Sequence, residues 1–316
     1  MAKEQTVAYL LTRLDDIIPE ILPSIHQHAT VNHIQPWTSF AGLLSRQDMF
    51  IAHMSAKIVT KIITLSFPTY KIEGADLDFF FGWLRSQLAT DNHDYLQSTV
   101  MCLQKMLRLP YYRAQFFDFG GMDCLRPLLS DQYGFQLQYQ VCNCIWLMSY
   151  SKEIALGMSK FPKVLPALAD VLKTCQKEKV LRMIIAIFVN LLKSSQDDKK
   201  LFREYTMLMI QGKVVRSLEL IIQTHCNTEK DPNNTLSNLQ SKDEVDEDLL
   251  EDCEFLDEQL SLAVQNLSSI DEYRSELLSG RLEWSPVHKS PKFWRENGIF
   301  YKKSMVNFFG IGKLFL

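Results

Sequence analysis

The chain is short of the two residues that punctuate turns. Gly occurs 12 times and Pro 11 times in 316 residues, below the usual ~7% and ~5%. An all-β chain needs a turn about every dozen residues and would carry more of both, so the shortage favours helices. A large excess of either charge is also missing: 34 Lys and Arg face 37 Asp and Glu, a net charge of −3 with a pI of about 6.2. No whole-chain positive field exists to hold nucleic acid. No run reaches 18 uninterrupted apolar residues, so no membrane span or direct insertion is expected. The nearest, Gly298 to Leu316, is broken by Lys302, Lys303, Asn307 and Lys313. The opening Met1-Ala-Lys-Glu-Gln-Thr lacks the apolar core of a secretory signal. Cysteine is odd in number, seven, and Cys102, Cys142 and Cys144 lie inside apolar helical runs. Such residues read as buried free thiols of a reducing compartment, so a soluble cytosolic protein is expected.

Apolar residues (47%) and charged residues (22%) are present in globular proportion, which excludes global disorder. The near-neutral charge conceals an asymmetry. Between Lys242 and Glu258 lie ten acids and one lysine, so this segment carries −9 and the remainder +6. A charge run of this kind forms a solvated helix face or a docking surface for a basic partner. The residues to test are Asp246, Glu247, Asp248, Glu251 and Asp252.

Four apolar helical segments begin at Ile58, Val100, Val141 and Ile184, separated by 42, 41 and 43 residues. Each places apolar residues on one helical stripe: Ile58/Ile62/Leu65, Val100/Leu103/Leu107, Val141/Ile145/Met148 and Ile184/Phe188/Leu191. Their other faces are apolar too, so these helices are expected to sit between neighbours. Shorter helices entered through Gly or Pro are expected at Gly121, Phe161 and Gly212. A period near 40 with two or three helices per repeat predicts an all-α armadillo/HEAT-like α-solenoid, a right-handed superhelix of helical repeats. Residues 1–280 are assigned to it, with a polar loop at about 224–245 and the acidic segment at 242–258. Helical spacing returns through Leu249, Leu250, Leu256, Leu260, Val264 and Leu267. A connector rich in Pro, Trp and Ser follows at 281–297, and a divergent tail at 298–316.

Catalytic signatures are scarce. Gly310-Ile-Gly-Lys lacks the four-residue spacer and the Ser/Thr of a phosphate loop. His26, His28 and His33, and likewise Cys142 and Cys144, are spaced so that neighbours two apart on a helix face apart, a poor metal geometry. No nucleophile turn or acid/base pair is marked, so neither catalysis nor a cofactor is expected. Binding is what a solenoid offers. Extended peptides in armadillo grooves are held by an Asn ladder, and the aligned positions here are Thr64, Met106, Leu147 and Asn190. Only one is Asn, which favours a protein partner at the side or ends.

Several stretches resemble one family, the H subunit of the vacuolar-type proton-pumping ATPase. The first is Gly134-Phe-Gln-Leu-Gln-Tyr-Gln140 followed by Ile145-Trp-Leu147, whose candidate contacts are Phe135, Gln136, Gln138 and Tyr139. The second runs from Gly280 to Ser290 and from Lys292 to Asn297, with Trp284, Pro286, His288, Lys289, Phe293 and Trp294. Lys3 to Val7, Arg46-Gln-Asp48, Lys177 to Val180, Asp271-Glu-Tyr273 and Ser275-Glu-Leu277 also fit, so the resemblance spans about Lys3 to Asn297.

The resemblance implies a non-catalytic, regulatory component of the pump's peripheral, ATP-hydrolysing sector, on the cytosolic face of vacuolar, endosomal or lysosomal membranes. It implies binding to the E and G subunits of the peripheral stalk. It further implies contacts with the membrane sector's "a" component and with the catalytic head, through a C-terminal domain. Members also serve as adaptors in endocytic traffic, the alternative role. Family members carry helices before the Lys3 motif and a helical domain after Asn297, whereas residues 298–316 match nothing in that pattern. The expectation is therefore a form shortened at both ends, which holds the stalk but does not silence free ATPase.

Overall fold

The computed structural model describes residues 2–90, 94–175, 177–228 and 247–266. Among them there is no strand. The helices are α1 (Ala2–Val31), α2 (Thr38–Ala41), α3 (Met49–Ser66), α4 (Gly74–Ala89), α5 (Leu96–Leu107), α6 (Pro110–Asp118) and α7 (Gly121–Leu125). They continue as α8 (Phe135–Ser149), α9 (Lys152–Gly157), α10 (Val164–Thr174), α11 (Glu178–Ser195), α12 (Lys199–Gln211), α13 (Val214–Thr228) and α14 (Glu247–Asn266).

The four repeated segments fall in α3, α5, α8 and α11, and these stack in single file. α1 packs on α3, α3 on α5, α5 on α8, α8 on α11, and α11 on α14. The residues that open the repeats, Ile58, Val100, Val141 and Ile184, are each 0% exposed. Removing an Ile side chain from water in this way contributes about 1.5–3 kcal/mol. A second layer covers the stack. α4 packs on α5, α6 on α5 and α8, α9 on α8 and α11, and α10 and α12 on α11. This is the all-α solenoid expected from the 40-residue period.

One member of the expected stripe departs. Leu65 is 48% exposed, although Ile58 and Ile62 are fully buried. A 3.6-residue turn carries the buried line from Ile62 to Ser66 instead. There α1 crosses, and His26 Nε2 meets Ser66 Oγ at 2.7 Å.

Local chemistry sets the helix ends. The Asp48 carboxylate accepts from Ile51 N at 3.1 Å to start α3, and Asp198 accepts from Lys200 N and Leu201 N to start α12. Pro110 opens α6, where a missing N–H costs nothing. Arg113 Nε donates to Leu107 O at 2.7 Å and closes the C-terminus of α5. Gly121 is required by packing, because a Cβ there would lie 2.2 Å from the Phe116 ring. Gly212 lets α12 approach α10, since its Cβ would lie 2.6 Å from Ala169 Cβ.

α1 runs 30 residues with Pro19 and Pro23 inside it. Two helix boundaries differ from the sequence expectation. α13 continues to Thr228, so helix occupies the start of the stretch read as a loop. The helix expected at 161 begins at Val164, after a 3₁₀ turn over Met158–Lys160. One helix, α3, is long and apolar enough to cross a membrane by length and composition, and most of it is buried between α1 and α5.

Candidate functional site

With one flank of each stacked helix in the core, the opposite flanks form a continuous surface, the open face. α3 presents Lys57, Lys61 and Thr64, and α5 with its C-cap presents Met101, Gln104, Lys105 and Arg108. α8 with its C-cap presents Gln136, Tyr139, Trp146 and Tyr150, and α11 presents Arg182, Met183, Asn190 and Lys193. Side-chain bonds tie the helices together along this surface. Gln104 Nε2 donates to Asn143 Oδ1 at 2.7 Å, and Asn143 Nδ2 reaches Met183 Sδ at 3.9 Å. Asn190 Nδ2 donates to Ser149 Oγ at 2.9 Å.

An Asn ladder does not exist in the register of the apolar alignment. Met106 is fully buried and Leu147 nearly so, in the core rather than on the open face. Thr64 bonds back to Thr60 O at 2.8 Å within its own helix. The amides that do meet, half-buried Gln104 and Asn143 at 9% exposed, pair across a separation of 39 residues rather than the 41 of the apolar alignment. Side chains that link α5 to α8 are therefore not the ones that the apolar pattern aligns.

The family-signature residues in α8 divide by burial. Gln138 is 6% exposed, and its Nε2 donates to Leu129 O and Ser130 O, each at 3.3 Å, fastening α8 to the turn before it. That side chain is a structural clasp rather than a partner contact. Phe135 and Gln136 are exposed and Tyr139 is half-buried. Lys177 Nζ sits 5.4 Å from the Phe135 ring centroid. Trp146 and Tyr150 meet edge to face with centroids 4.9 Å apart. Trp284, Pro286, His288, Lys289, Phe293 and Trp294 lie outside the described residues, as does Asp246.

The rest of the acidic segment belongs to α14. Leu249, Cys253, Leu256 and Leu260, at helical spacing, form its buried stripe. Glu247, Asp248 and Glu251 face solvent and Asp252 is half-buried. Lys193 Nζ stands 5.2 Å from the Phe255 ring centroid, which places this flank of α14 beside the open face. Burial raises the Asp252 pKa against the pull of Lys193, and Asp248 and Glu251 push it further up. At the other end of the stack, burial would raise Asp15, but the ammonium groups of Lys57 (2.5 Å) and Lys61 (2.7 Å) hold its pKa below the ordinary value.

The histidines and cysteines have local partners. His26 bonds Ser66 and lies against Tyr70, with ring centroids 4.7 Å apart, while His28 bonds Asn32. His33 lies past the end of α1 with φ 52°. Burial pushes the thiols up, Cys102 to about 11 and Cys124 and Cys253 to about 12, with Cys142 and Cys144 raised as well. Neutral thiols of this kind are poor nucleophiles and poor metal ligands.

Comparison with known proteins agrees with this architecture. A designed armadillo repeat protein made for modular peptide recognition superposes with a TM-score of 0.55 at 12% identity, over 81% of this chain and 93% of its own. A structure concerned with cadherin and β-catenin superposes at 0.52 and 10% identity, over 78% of this chain and 43% of its own. At such identities the likeness concerns the fold alone. Sequence comparison is more specific. The V-type proton ATPase H subunit of Drosophila melanogaster is 39% identical over 94% of this chain and 59% of that protein. A probable V-type proton ATPase H subunit of Caenorhabditis elegans, the second of two, is 40% identical over the same shares. The chain thus spans about three-fifths of the length of these relatives. A family model described as the V-ATPase H subunit matches residues 1–260, and a second, for the C-terminal part of the same protein, matches residues 266–309, beyond Asn297. With most of its length inside one family model and its relatives at this level of identity, the chain belongs to the family of V-type proton ATPase H subunits.

Proposed function

We propose that this chain is a non-catalytic, regulatory component of the ATP-hydrolysing sector of a vacuolar-type proton pump. It acts on the cytosolic face of organelle membranes, is needed for coupled proton transport and acidification, and grips the peripheral stalk formed by the E and G subunits. The observation that carries this reading is the unbroken stack from α1 to α14 in a member of the H-subunit family. A stack in which each helix is fixed to the next is suited to holding a stalk in place, because load at one end is passed to the other. Burial raises the thiols of Cys102, Cys124, Cys142, Cys144 and Cys253, which supports a binding rather than a catalytic role. The same reading gives the family's C-terminal part the contacts with the membrane sector's "a" component and with the catalytic head, and the regulation that follows from them.

The test is capture of a purified E–G stalk heterodimer by the full chain. Binding is expected, and Trp146→Ala with Tyr139→Ala should weaken it at least tenfold without unfolding the protein, as centrally placed aromatics do. No capture of the heterodimer by the folded chain would overturn the reading. Recovery of coat proteins in place of the stalk would turn it toward an adaptor of endocytic traffic.

A further inference from the structure

From α3 to α14 the charges on the stacked helices are sorted along the stack; α1, before them, carries four acids and two bases. α3, α5, α8 and α11 together contain six Lys or Arg (Lys57, Lys61, Lys105, Lys179, Arg182 and Lys193) and a single acid, Glu178. Arg108, at the end of α5, adds a further cation on the same flank. α8 contains no charged residue at all. α14, stacked next, contains seven acids and no base. Internal pairing removes only part of the basic excess. Asp15 serves both Lys57 and Lys61, and Glu178 holds Arg182 at 3.0 Å.

Within the basic zone the surface over α5 and α8 is apolar and amide-lined. Met101 is 41% and Tyr150 56% exposed, and Trp146 is half-buried one turn along α8 from Asn143. Aromatic anchors flanked by charge are the usual composition of a protein-binding surface. The charge zones add a selection rule, since like charges placed opposite one another are strongly disfavoured while complementary ones steer approach.

We infer that the open face receives one rod-like helical segment of a partner protein whose charges come in blocks, acidic where it crosses α3 to α11 and basic where it crosses α14. Four helix-to-helix steps of roughly 10 Å each make a track of about 40 Å. A helix of about 27 residues covers that length. On the acidic end of the track, Asp248 and Asp252 lie one turn apart on the Phe255 side of α14, in position to meet a basic block. This inference rests on the proposed stalk binding and deepens it by stating what the gripped segment must look like.

The experiment uses the full chain and two synthetic helical peptides of 28 residues and equal composition. One carries its Glu residues in the first half and its Lys residues in the second; the other alternates them. The block peptide is expected to bind at least tenfold more tightly at low salt and to lose that advantage at high salt. Lys105→Glu with Arg108→Glu should remove the advantage, and so should Glu251→Lys with Asp248→Lys; Arg108, Asp248 and Glu251 are exposed and Lys105 half-buried, and unchanged circular dichroism and melting of each variant must accompany the loss. Equal binding of the two peptides overturns the inference. So does loss through only one variant pair, which would mean a simple acidic or basic patch. Block-peptide binding without capture of the E–G heterodimer would sink the stalk assignment and keep the block-charge rule; capture without peptide discrimination would do the reverse.

Discussion

Gln104 donates its side-chain amide to Asn143 at 2.7 Å, and this bond lies at the edge of the core, between a half-buried amide and a buried one. Asn143 is 9% exposed and bonds onward toward Met183, so it joins three successive helices. Gln104 is more open and can turn to water if its partner is lost. Asn143→Ala should therefore cost about 1–2 kcal/mol and Gln104→Ala less than about 1 kcal/mol. Urea unfolding of both variants measures this. A larger cost for the Gln104 variant would show that the bond does not bridge the helices as described.

Asp15 is 5% exposed and bound by two lysines. Asp15→Asn keeps the shape but removes the charge, and should cost about 1.5–3 kcal/mol at neutral pH, the range for hydrogen bonds to charged groups. The pH dependence has a definite sign. The folded-state pKa of Asp15 is lowered, so its contribution is complete above the unfolded value of about 3.9 and is lost as pH falls through the folded one. The variant should be the less stable protein at neutral pH, and the two stability curves should converge in acid only below the lowered folded-state pKa of Asp15. Curves that stay parallel through the acid range would contradict the ion-pair account.

Asp252 behaves in the opposite sense. Its folded pKa is raised, so the folded state favours the protonated form. Its stabilising contribution is present below the unfolded value of about 3.9 and disappears as pH rises through the folded pKa. Asp252→Asn should therefore protect the amides of α14 from hydrogen exchange slightly better than wild type at neutral pH. The gain should be no more than about 0.5 kcal/mol, because the group is half open to water and also pulled by Lys193. Weaker protection in the variant would mean that the attraction of Lys193 outweighs desolvation.

Two glycines give a matched pair. Gly121→Ala drives a methyl into the Phe116 ring and should lower stability by about 1–3 kcal/mol. Gly134→Ala has nothing within 4 Å of the new Cβ and keeps an ordinary φ of −65°; the poorer N-cap of α8 is offset by the reduced freedom of the unfolded chain, so the net effect should be within about 0.5 kcal/mol. Thermal melts of the two proteins compare them directly, and equal losses would refute the packing argument for Gly121.

The stacked helices were legible because burial on several sides imposes a strong apolar period. Ile58, Val100, Val141 and Ile184 announce themselves, and each is fully buried. The open face was harder to read, since it depends on how neighbouring helices are offset. An alignment of apolar positions points to Met106 and Leu147, both buried, whereas the amides that meet across α5 and α8 are Gln104 and Asn143, two and four residues earlier. α1 passes through Pro19 and Pro23, held by its packing on α3 and by His26 on Ser66. The α8 signature residues could be found from the sequence, but burial was needed to separate Gln138, a clasp, from Phe135 and Tyr139 on the surface.

Single-file stacking also fixes how the molecule yields. Helices joined one after another behave as springs in series: each junction bears the whole load, and the total give is the sum of the separate gives. The softest junction then dominates. From α3 to α11 each helix is buried apolar along most of its length, whereas α14 meets its neighbours through Leu249, Cys253, Leu256 and Leu260 with half-buried Phe255 beside them, and carries acids along its other sides. Under tension along the stack, most of the extension would be taken up beside Lys193 and Phe255, leaving the spacing of the helices before it nearly unchanged.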